Sequence, residues 1–347
     1  MRVYKFTGET ISPVTIGSGE EIEPFDYIIE QGLFYRISLE SVVSDFTEED
    51  RNKFYNIIES GNINNLRKFI TNRVDVEKHS IYCCQVSDSV EKLYRDKFED
   101  IQNQLLITPF IRNGIDYLPF IPGSSIKGSI RTAVLSEMGK NLNPNQVKKE
   151  RYWEWKIEGI IFNNLDRRNN PDAKCDPFRA VKIRDINFPD NSTIIAQIKN
   201  VAKNRRGNLF SKSMQLFYEV SKSKLYGGEI KFSGEIIIDE DLQAVGKIGV
   251  SKKITIDMIK DYCNSFYREK LESEHRKFYR QSYMESNSNA LLDEKINNDS
   301  FIIRLGRFSG VESVTLDGYR EPKPPGGNSR NICEEKYPMG WIKITLK

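Results

Sequence analysis

A loop rich in glycine and serine leads directly into a predicted helix at residues 121–131, which read IPGSSIKGSIR. The first turn of a helix presents backbone N–H groups and the positive end of the helix dipole, an arrangement that favours an anion such as a phosphate. Lys127 and Arg131 are four residues apart and therefore share one side of this helix. A nucleotide-binding P-loop is disfavoured, because Ser129 stands where that motif requires lysine. A capped helix with two solvated cations would explain the same residues.

A second basic segment, residues 199–231, contains eight basic and two acidic residues, with phenylalanine and tyrosine interspersed. This composition suits a single-stranded nucleic acid, because cations contact its phosphates and aromatic rings stack on its bases. Lys203, Arg205 and Arg206 are predicted to lie in an exposed loop, where packing does not explain a cluster of cations. A core hairpin with outward-facing lysines is the alternative for the rest of the segment.

Two arginines and two glycines follow a predicted strand at residues 304–310, which read RLGRFSG. The planar fork of an arginine suits phosphate, and a small residue nearby lets the backbone approach the same group. Arg304, Gly306 and Arg307 are therefore candidates for phosphate binding. A simple hairpin turn would also account for the glycines.

Residues suited to metal binding or catalysis are scarce in this sequence. The two histidines, His79 and His275, are far apart, which weakens any metal site based on histidine. The five cysteines form no C-x-x-C pair, so we predict reduced thiols in a cytoplasmic protein and no zinc site. We accordingly predict that the protein uses no metal and no other cofactor.

Negative charge is concentrated near the N-terminus. Residues 6–35 contain six acidic residues and no lysine or arginine, and Glu20, Glu21 and Glu23 form the densest group. Clustered carboxylates are able to hold a divalent ion, but such a run is more often a solvated face or a contact for a basic partner. We predict a partner-binding patch at these three glutamates.

Length and composition indicate a polar, globular chain of mixed structure. At 347 residues, two domains are expected. The net charge of +3 is too small to imply nucleic acid by itself. The sequence has no apolar run of about 18 residues and no signal-peptide pattern. Strands outnumber helices in each half, which predicts an α+β fold with units at 1–141 and 179–347, joined by a linker and helix at 142–178.

Three motifs, in this order and spacing, resemble those of the RAMP superfamily of CRISPR proteins. Residues 12–19, SPVTIGSG, resemble its SPVHIGSG opening, residues 121–131 resemble its helix start, and residues 304–310 resemble its late glycine-rich loop. The likeness spans nearly the whole chain. Within the superfamily, the hairpin at 26–37 and the closing strand that includes residues 340–341 are most similar to the fifth-subunit family of the type III-A (Csm) effector complex.

This resemblance implies two ferredoxin-like (RRM-type) domains, with a helical insertion at about 45–103 in the first. It implies a non-catalytic, RNA-binding subunit in antiviral defence, which caps the 3′ end of the CRISPR RNA (crRNA) and supports its maturation and complex assembly. The implied partners are crRNA, the backbone and small Csm subunits, host trimming nucleases and, indirectly, target RNA, with no membrane. The residues that match the family's RNA contacts are Gly123, Ser124, Ser125, Lys127 and Arg131, followed by Arg304, Gly306 and Arg307.

Two enzymatic alternatives stay open. Thr15 replaces a histidine that is common in the family's opening motif, which favours binding over cleavage. A metal-independent endoribonuclease that processes the crRNA precursor would need a general acid and a general base, for which His79, Tyr82 and Lys127 are the candidates. Cleavage of target RNA would require Asp26 and Mg²⁺, but Asp26 begins a predicted hairpin, and we expect it to be structural.

Overall fold

The computed structural model describes residues 1–100, 105–149, 151–204, 208–243, 249–313, 316, 319 and 329–347. Its strands are β1 Arg2–Thr10, β2 Tyr27–Glu30, β3 Leu33–Ile37, β4 Ser80–Val86, β5 Ile107–Thr108, β6 Phe120–Ile121, β7 Val181–Ile183, β8 Ile186–Asn187, β9 Thr193–Lys203, β10 Leu209–Ser221, β11 Lys231–Ile238, β12 Ser300–Arg304, β13 Ser329–Cys333 and β14 Trp341–Leu346. Its helices are α1 Leu39–Ser44, α2 Glu48–Ser60, α3 Ile63–Thr71, α4 Val76–His79, α5 Asp88–Lys97, α6 Gly123–Gly139, α7 Pro144–Val147, α8 Trp153–Phe162, α9 Ile256–Glu274 and α10 Glu285–Leu292. In these ranges, no helix is both long enough and apolar enough to cross a membrane.

Most of the strands form two sheets, and helices pack against them. The fold is therefore of the α+β class, as the sequence predicts. The five-stranded sheet has the order β12–β14–β1–β11–β7. The seven-stranded sheet has the order β2–β3–β4–β9–β10–β5, and β13 pairs with the end of β9. Each sheet combines strands from both sides of the predicted linker at 142–178, because β1 pairs with β11 and β14, and β4 pairs with β9. The division of the chain into units at 1–141 and 179–347 stays a prediction.

Helix α6 lies at the centre of the main core. Its residues Ile126, Ile130 and Val134 are fully buried, as apolar residues spaced four apart on one helix face should be. The helix packs against α8, α9, β7 and β12. This packing brings the first turns of α6 next to the chain that leaves β12.

A group of helices separates β3 from β4. Thr47 is the N-cap residue of α2, since its hydroxyl accepts a hydrogen bond of 3.1 Å from the backbone N–H of Asp50. Phe46 packs edge-on against Phe54 and Phe69, with ring centroids 5.4 and 5.5 Å apart. These aromatic contacts give the helical group a small core of its own on one face of β2 and β3.

Candidate nucleic-acid interface

The three glycine-containing motifs of the sequence converge on one cleft of about 470 Å³. Its lining comes from the loop after β1, from helix α6 and from the loop after β12, with Tyr267 of α9 beneath them. The lining residues are Ile16, Gly17, Gly19, Ser125, Gly128, Ser129, Thr132, Tyr267, Arg304, Leu305, Gly306, Arg307, Ser309 and Ser313. Most of these side chains are small or absent, which leaves the backbone accessible to a ligand.

Helix α6 presents small residues to the cleft. Ser125, Gly128, Ser129 and Thr132 line it at the spacing of three and four residues that defines one helix face. The hydroxyl of Ser129 donates a 2.9 Å hydrogen bond to the carbonyl of Arg304 and contacts the Tyr267 hydroxyl at 2.6 Å. Ser129 therefore ties the helix to the loop after β12.

The first and the third motif come into close contact at Gly306. A Cβ atom at this position would lie 2.3 Å from the carbonyl oxygen of Thr15, and the residue has a φ of +90°. The backbone N–H of the next residue, Arg307, donates to the same Thr15 oxygen at 3.0 Å. Both the contact and the left-handed backbone require glycine here.

Arg307 is an exposed cation at the edge of this cleft. Its guanidinium lies 5.8 Å from the centroid of the Tyr218 ring. Among the residues that the structure describes, no carboxylate forms an ion pair with it. Arg307 therefore has donors available for a phosphate group.

Arg304, in contrast, is buried and engaged inside the protein. Its Nη2 lies 3.2 Å from Oε1 of Glu274, an atom that also accepts from Nε of Arg330 at 2.8 Å and from the Tyr279 hydroxyl at 2.9 Å. Burial alone would raise the pKa of the Glu274 carboxyl, but the charges of Arg304 and Arg330 outweigh burial and hold that pKa below its ordinary value. This cluster supports the glycine loop from within, and the Arg304 guanidinium faces the protein interior.

Lys127 and Arg131 lie on a different face of α6 from the cleft-lining residues. Arg131 forms a bidentate pair with Asp176, at 2.8 and 2.7 Å, and a further contact of 2.9 Å with Glu158. Lys127 is half-buried; burial lowers the pKa of its ammonium group, and Asp176 opposes this shift. In the described part of the chain, Lys127 has no ion-pair partner. Its ammonium group is therefore freer to bind a ligand than the Arg131 guanidinium.

Two of the three predicted backbone donors at the start of α6, those of Gly123 and Ser125, already have partners inside the protein. The N–H of Gly123 donates to Oδ1 of Asp185 at 2.8 Å, and that of Ser125 donates to the Pro122 carbonyl at 2.9 Å. A Cβ at Gly123 would lie 2.1 Å from the Ile183 carbonyl oxygen. The glycine is therefore required for close packing on the chain after β7, while Ser124 is exposed.

Lys203 does not line the cleft, and it is the last residue of strand β9, not part of an exposed loop as predicted. Lys203 donates from Nζ to the carbonyl of Lys277 at 2.8 Å and lies 5.7 Å from the centroid of the Phe278 ring. It is thereby held against the π-helical turn His275–Tyr279 that continues α9. Arg205 and Arg206 lie outside the described residues.

The acidic patch lies beside the cleft. Glu20, Glu21 and Glu23 are all exposed and follow directly after the lining residue Gly19. Ile22 between them is buried and pairs with Ile107 through backbone hydrogen bonds of 2.8 and 3.1 Å. In the described ranges, no group of three or more potential metal ligands occurs. The exposed carboxylates of this patch are accessible to a partner of opposite charge.

His79 occupies a buried structural position. Its Nδ1 accepts a 3.0 Å hydrogen bond from the backbone N–H of Asp75, and its Nε2 lies 2.9 Å from Oδ2 of Asp45. Because a backbone N–H donates to Nδ1, the hydrogen-bond pattern assigns the proton to Nε2. Both ring nitrogens thus have partners within the protein, and the ring holds α4 to the end of α1.

Tyr82 and Asp26 also have structural partners. The guanidinium of Arg112 stacks 3.9 Å from the centroid of the Tyr82 ring, and burial raises the pKa of the Tyr82 hydroxyl well above its usual range. Asp26 pairs with Arg36, whose Nη1 lies 3.5 Å from Oδ2 and donates to the Asp26 carbonyl at 2.7 Å. Both side chains stabilise the start of the seven-stranded sheet.

Sequence reasoning missed Glu274 and Tyr267. Glu274 begins the run EHRK, which resembles a solvated helix surface. The buried residues Tyr267, Leu271 and Glu274 follow one another at spacings of four and three, which places the glutamate on the apolar face of α9. A charged residue on an apolar face is the signal that identifies a buried ion pair.

Known proteins share this fold and this sequence pattern. The model of the RAMP superfamily matches residues 7–309. A protein of Methanocaldococcus jannaschii, described as CRISPR system Cms protein Csm5, is 27% identical over 342 residues, with 89% of this chain and 71% of that protein covered. A chain in the cryo-EM structure of a Csm–crRNA–target RNA ternary complex of a type III-A CRISPR-Cas system superimposes with a TM-score of 0.72 and 18% identity, covering 99% of this chain and 100% of that one. The crystal structure of T. onnurineus Csm5 gives a TM-score of 0.68 and 20% identity, with 97% and 99% covered.

Proposed function

The chain belongs to the RAMP superfamily, and on this premise we propose that it is an RNA-binding subunit of a type III-A (Csm) CRISPR effector complex. In this role it binds the 3′ portion of crRNA, supports the maturation of that end and helps the complex to assemble in the cytoplasm for antiviral defence. The proposal draws on one relative that is named Csm5 and on a similar chain that was solved with crRNA and target RNA.

The convergence of the three glycine-containing motifs carries the proposal. The cleft combines Arg307, a cation with no ion pair among the described residues, with serine and threonine hydroxyls and accessible backbone. These groups suit the sugar–phosphate backbone, which is the same for every sequence, and a guide-binding subunit must accept guides of any sequence. Phosphate contacts also dominate the affinity of such proteins and make it dependent on salt.

We propose that the subunit is non-catalytic. His79 has both ring nitrogens engaged, and Tyr82 is held under Arg112 with a raised pKa. A general acid–base pair needs groups within hydrogen-bond reach of the scissile phosphate. Neither side chain belongs to the cleft that the three motifs form. These observations favour binding over cleavage of RNA.

We also propose how the partners meet the chain. The patch of Glu20, Glu21 and Glu23 at the mouth of the cleft would contact a basic surface of a neighbouring Csm subunit. Target RNA would be reached only through its pairing with crRNA, and host nucleases would trim the 3′ end that the cleft leaves uncovered. Charge reversal at Glu20 and Glu23, followed by co-purification, tests the subunit contact.

The five-stranded sheet supports a finer description of the fold. Its elements follow the order β1–α6–β7–β11–α9–β12, which is the βαββαβ order of a ferredoxin-like unit. Strand β14 is added between β12 and β1. We propose that this unit is an RRM-type domain, and that helices α1–α3 are an insertion in the other sheet.

The direct test of the cleft compares Arg307→Ala with Arg95→Ala. Arg95 is exposed on α5 and pairs only loosely with Glu91 at 3.5 Å, so it is a matched surface control. Binding of a single-stranded crRNA 3′ segment is measured by fluorescence anisotropy between about 50 and about 200 mM salt. Arg307→Ala should weaken binding and reduce the slope of log Kd against log salt by about 0.7. An unchanged slope for Arg307→Ala would exclude this arginine from the RNA contact.

A further inference from the structure

Two exposed aromatic side chains lie beside exposed cations at the start of α8. Tyr152 and Trp155 are 64% and 59% exposed. Tyr152 is the N-cap residue of α8, with a φ of +60°, and Trp155 lies in the first turn of the helix. Lys148, Lys149 and Arg151 precede them in the chain and are also exposed. We call these five residues the tryptophan surface. None of them lines the cleft between the glycine motifs.

Two cations of this surface contact aromatic rings, and among the described residues no carboxylate forms an ion pair with them. Nζ of Lys148 lies 5.7 Å from the centroid of the Trp153 ring, and the Arg151 guanidinium lies 4.8 Å from that of Tyr152. Nη2 of Arg151 also donates to the Tyr152 hydroxyl at 2.9 Å. Where the structure describes the chain, no ion pair involves Lys148, Lys149 or Arg151. The positive charge is therefore available to a ligand, and the rings stay partly open.

Helix α8 is fixed firmly enough to present such a surface. Glu158, one turn beyond Trp155, contacts the Arg131 guanidinium of α6 at 2.9 Å. At the other end, Ser251 donates to the Phe162 carbonyl at 2.7 Å and Lys252 donates to the Ile161 carbonyl at 2.9 Å. The inner face of the helix is buried in the main core. Its outer aromatic residues consequently need little reordering when they bind.

We propose that the tryptophan surface binds a segment of single-stranded RNA outside the cleft, with bases stacked on Trp155 and Tyr152 and phosphates held by the cations. Rings and cations in alternation are the recurring chemistry of single-strand binding, because every base has a face that stacks. The inference deepens the proposed function, since it adds a second contact for the same RNA or for an unpaired strand that is brought close to it.

The charge of the tryptophan surface favours RNA over a protein as its ligand. Residues 148–156 include four basic and two acidic residues. Another exposed aromatic surface, on α2, has the opposite balance: residues 48–60 include four acidic and two basic residues, and Tyr55 is 63% exposed there. A phosphate chain is attracted to the first surface and repelled by the second. Tyr55 is therefore a matched control for an exposed aromatic residue.

The test measures binding of a short single-stranded oligouridylate by the full chain, with the same RNA as a duplex for comparison. Trp155→Ala should raise Kd about fivefold or more, the loss expected when one stacked base is released. Trp155→Phe should keep Kd within about twofold, because phenylalanine also stacks. Tyr55→Ala should leave Kd unchanged, and the duplex should bind with little difference between wild type and Trp155→Ala.

Tryptophan fluorescence gives an independent reading of the same event. Trp341 is buried and Trp153 is partly buried, so a stacking base should quench mainly Trp155. Single-stranded RNA should therefore quench the wild type and Tyr55→Ala, but not Trp155→Phe, although this variant still binds. Equal quenching in Trp155→Phe and the wild type would overturn the inference.

Two further outcomes separate this inference from the proposed function. If Trp155→Ala weakens RNA binding while Arg307→Ala leaves the salt slope unchanged, the tryptophan surface stands and the cleft assignment fails. If Trp155→Ala binds RNA like the wild type but no longer co-purifies with the other Csm subunits, the surface docks a protein and the inference is overturned. Thermal denaturation of each variant confirms that it is folded.

Discussion

Replacing Glu274 by glutamine removes a negative charge that pairs with both Arg304 and Arg330, and it keeps the shape of the side chain. Glu274 is only 3% exposed, and both arginines are buried with it. Glu312 contacts Arg330 at 3.0 Å but not Arg304. The substitution therefore leaves a buried guanidinium beneath the glycine loop without its counter-charge.

The loss of stability follows from the burial of this cluster. Breaking a buried ion pair by removing one partner costs about 3–5 kcal/mol. An unfolding entropy of about 2.1 cal/mol/K per residue gives about 0.7 kcal/mol/K for 347 residues. The melting temperature of Glu274→Gln should therefore fall by about 4–7 °C at neutral pH. Because Arg304 borders the cleft, binding of single-stranded RNA should weaken as well.

The assay is thermal denaturation across pH, with Glu272→Gln as the control. Glu272 lies on the same helix but is partly exposed, with contacts of 3.5 and 3.9 Å to Arg268 and Arg276, so its loss should move the melting temperature by about 1 °C or less. The folded pKa of Glu274 is lowered. Its stabilisation is therefore complete above the ordinary glutamate pKa of about 4.3 and is lost as the pH falls through the lower folded value.

The difference between wild type and Glu274→Gln should thus be constant from about pH 7 to about pH 5 and should narrow only below about pH 4. A melting temperature for Glu274→Gln within about 1 °C of the wild type at pH 7 would refute the reasoning. Equal destabilisation of Glu272→Gln would also refute the reasoning, since the loss of either carboxylate on α9 would then have the same effect.

Other substitutions separate structural cations from binding cations. Arg131→Ala should cost about 1–3 kcal/mol of stability and so lower the melting temperature, because the half-buried carboxylates that pair with Arg131 would lose their partner. Lys127→Ala should leave the melting temperature unchanged and reduce the salt slope of RNA binding by about 0.7; no change in slope would remove Lys127 from the RNA contact. Gly306→Ala should lower both stability and RNA affinity, because its Cβ would lie 2.3 Å from the Thr15 oxygen. Gly128→Ala, on the same cleft but with no atom within 4 Å, should instead raise the stability by about 0.5–1 kcal/mol, and a loss in both glycine variants would contradict the steric argument.

Local patterns allowed a good part of the fold to be predicted. The Gly–Ser loop predicts the start of helix α6. The spacing of four residues between Ile126, Ile130 and Val134 predicts its buried face, because residues four apart lie on the same side of a helix. The order and spacing of the motifs at residues 12–19, 121–131 and 304–310 also indicated the family that the chain resembles. That these segments meet in one cleft depends on β1 pairing with β14 and β14 with β12, a long-range pairing that no local pattern contains.

The roles of individual cations could not be read from spacing. Lys127 and Arg131 do share one side of α6, as their separation of four residues requires. The sequence could not indicate that Asp176 folds back onto Arg131, or that Glu274 lies under Arg304. Such ion pairs form between elements that are distant in the chain, so whether an arginine is free for RNA is decided by tertiary packing.

The most direct test of the account is the length of crRNA in complexes purified with and without this chain, after co-expression with the other Csm subunits and a crRNA array. We predict that its omission leaves the 3′ ends unmatured or missing while the 5′ ends are cut normally, and that Arg307→Ala shifts the 3′ ends in the same direction. If the precursor is not cut at all without this chain, the chain is the endonuclease instead. His79→Ala should then abolish cleavage, and the non-catalytic account is wrong.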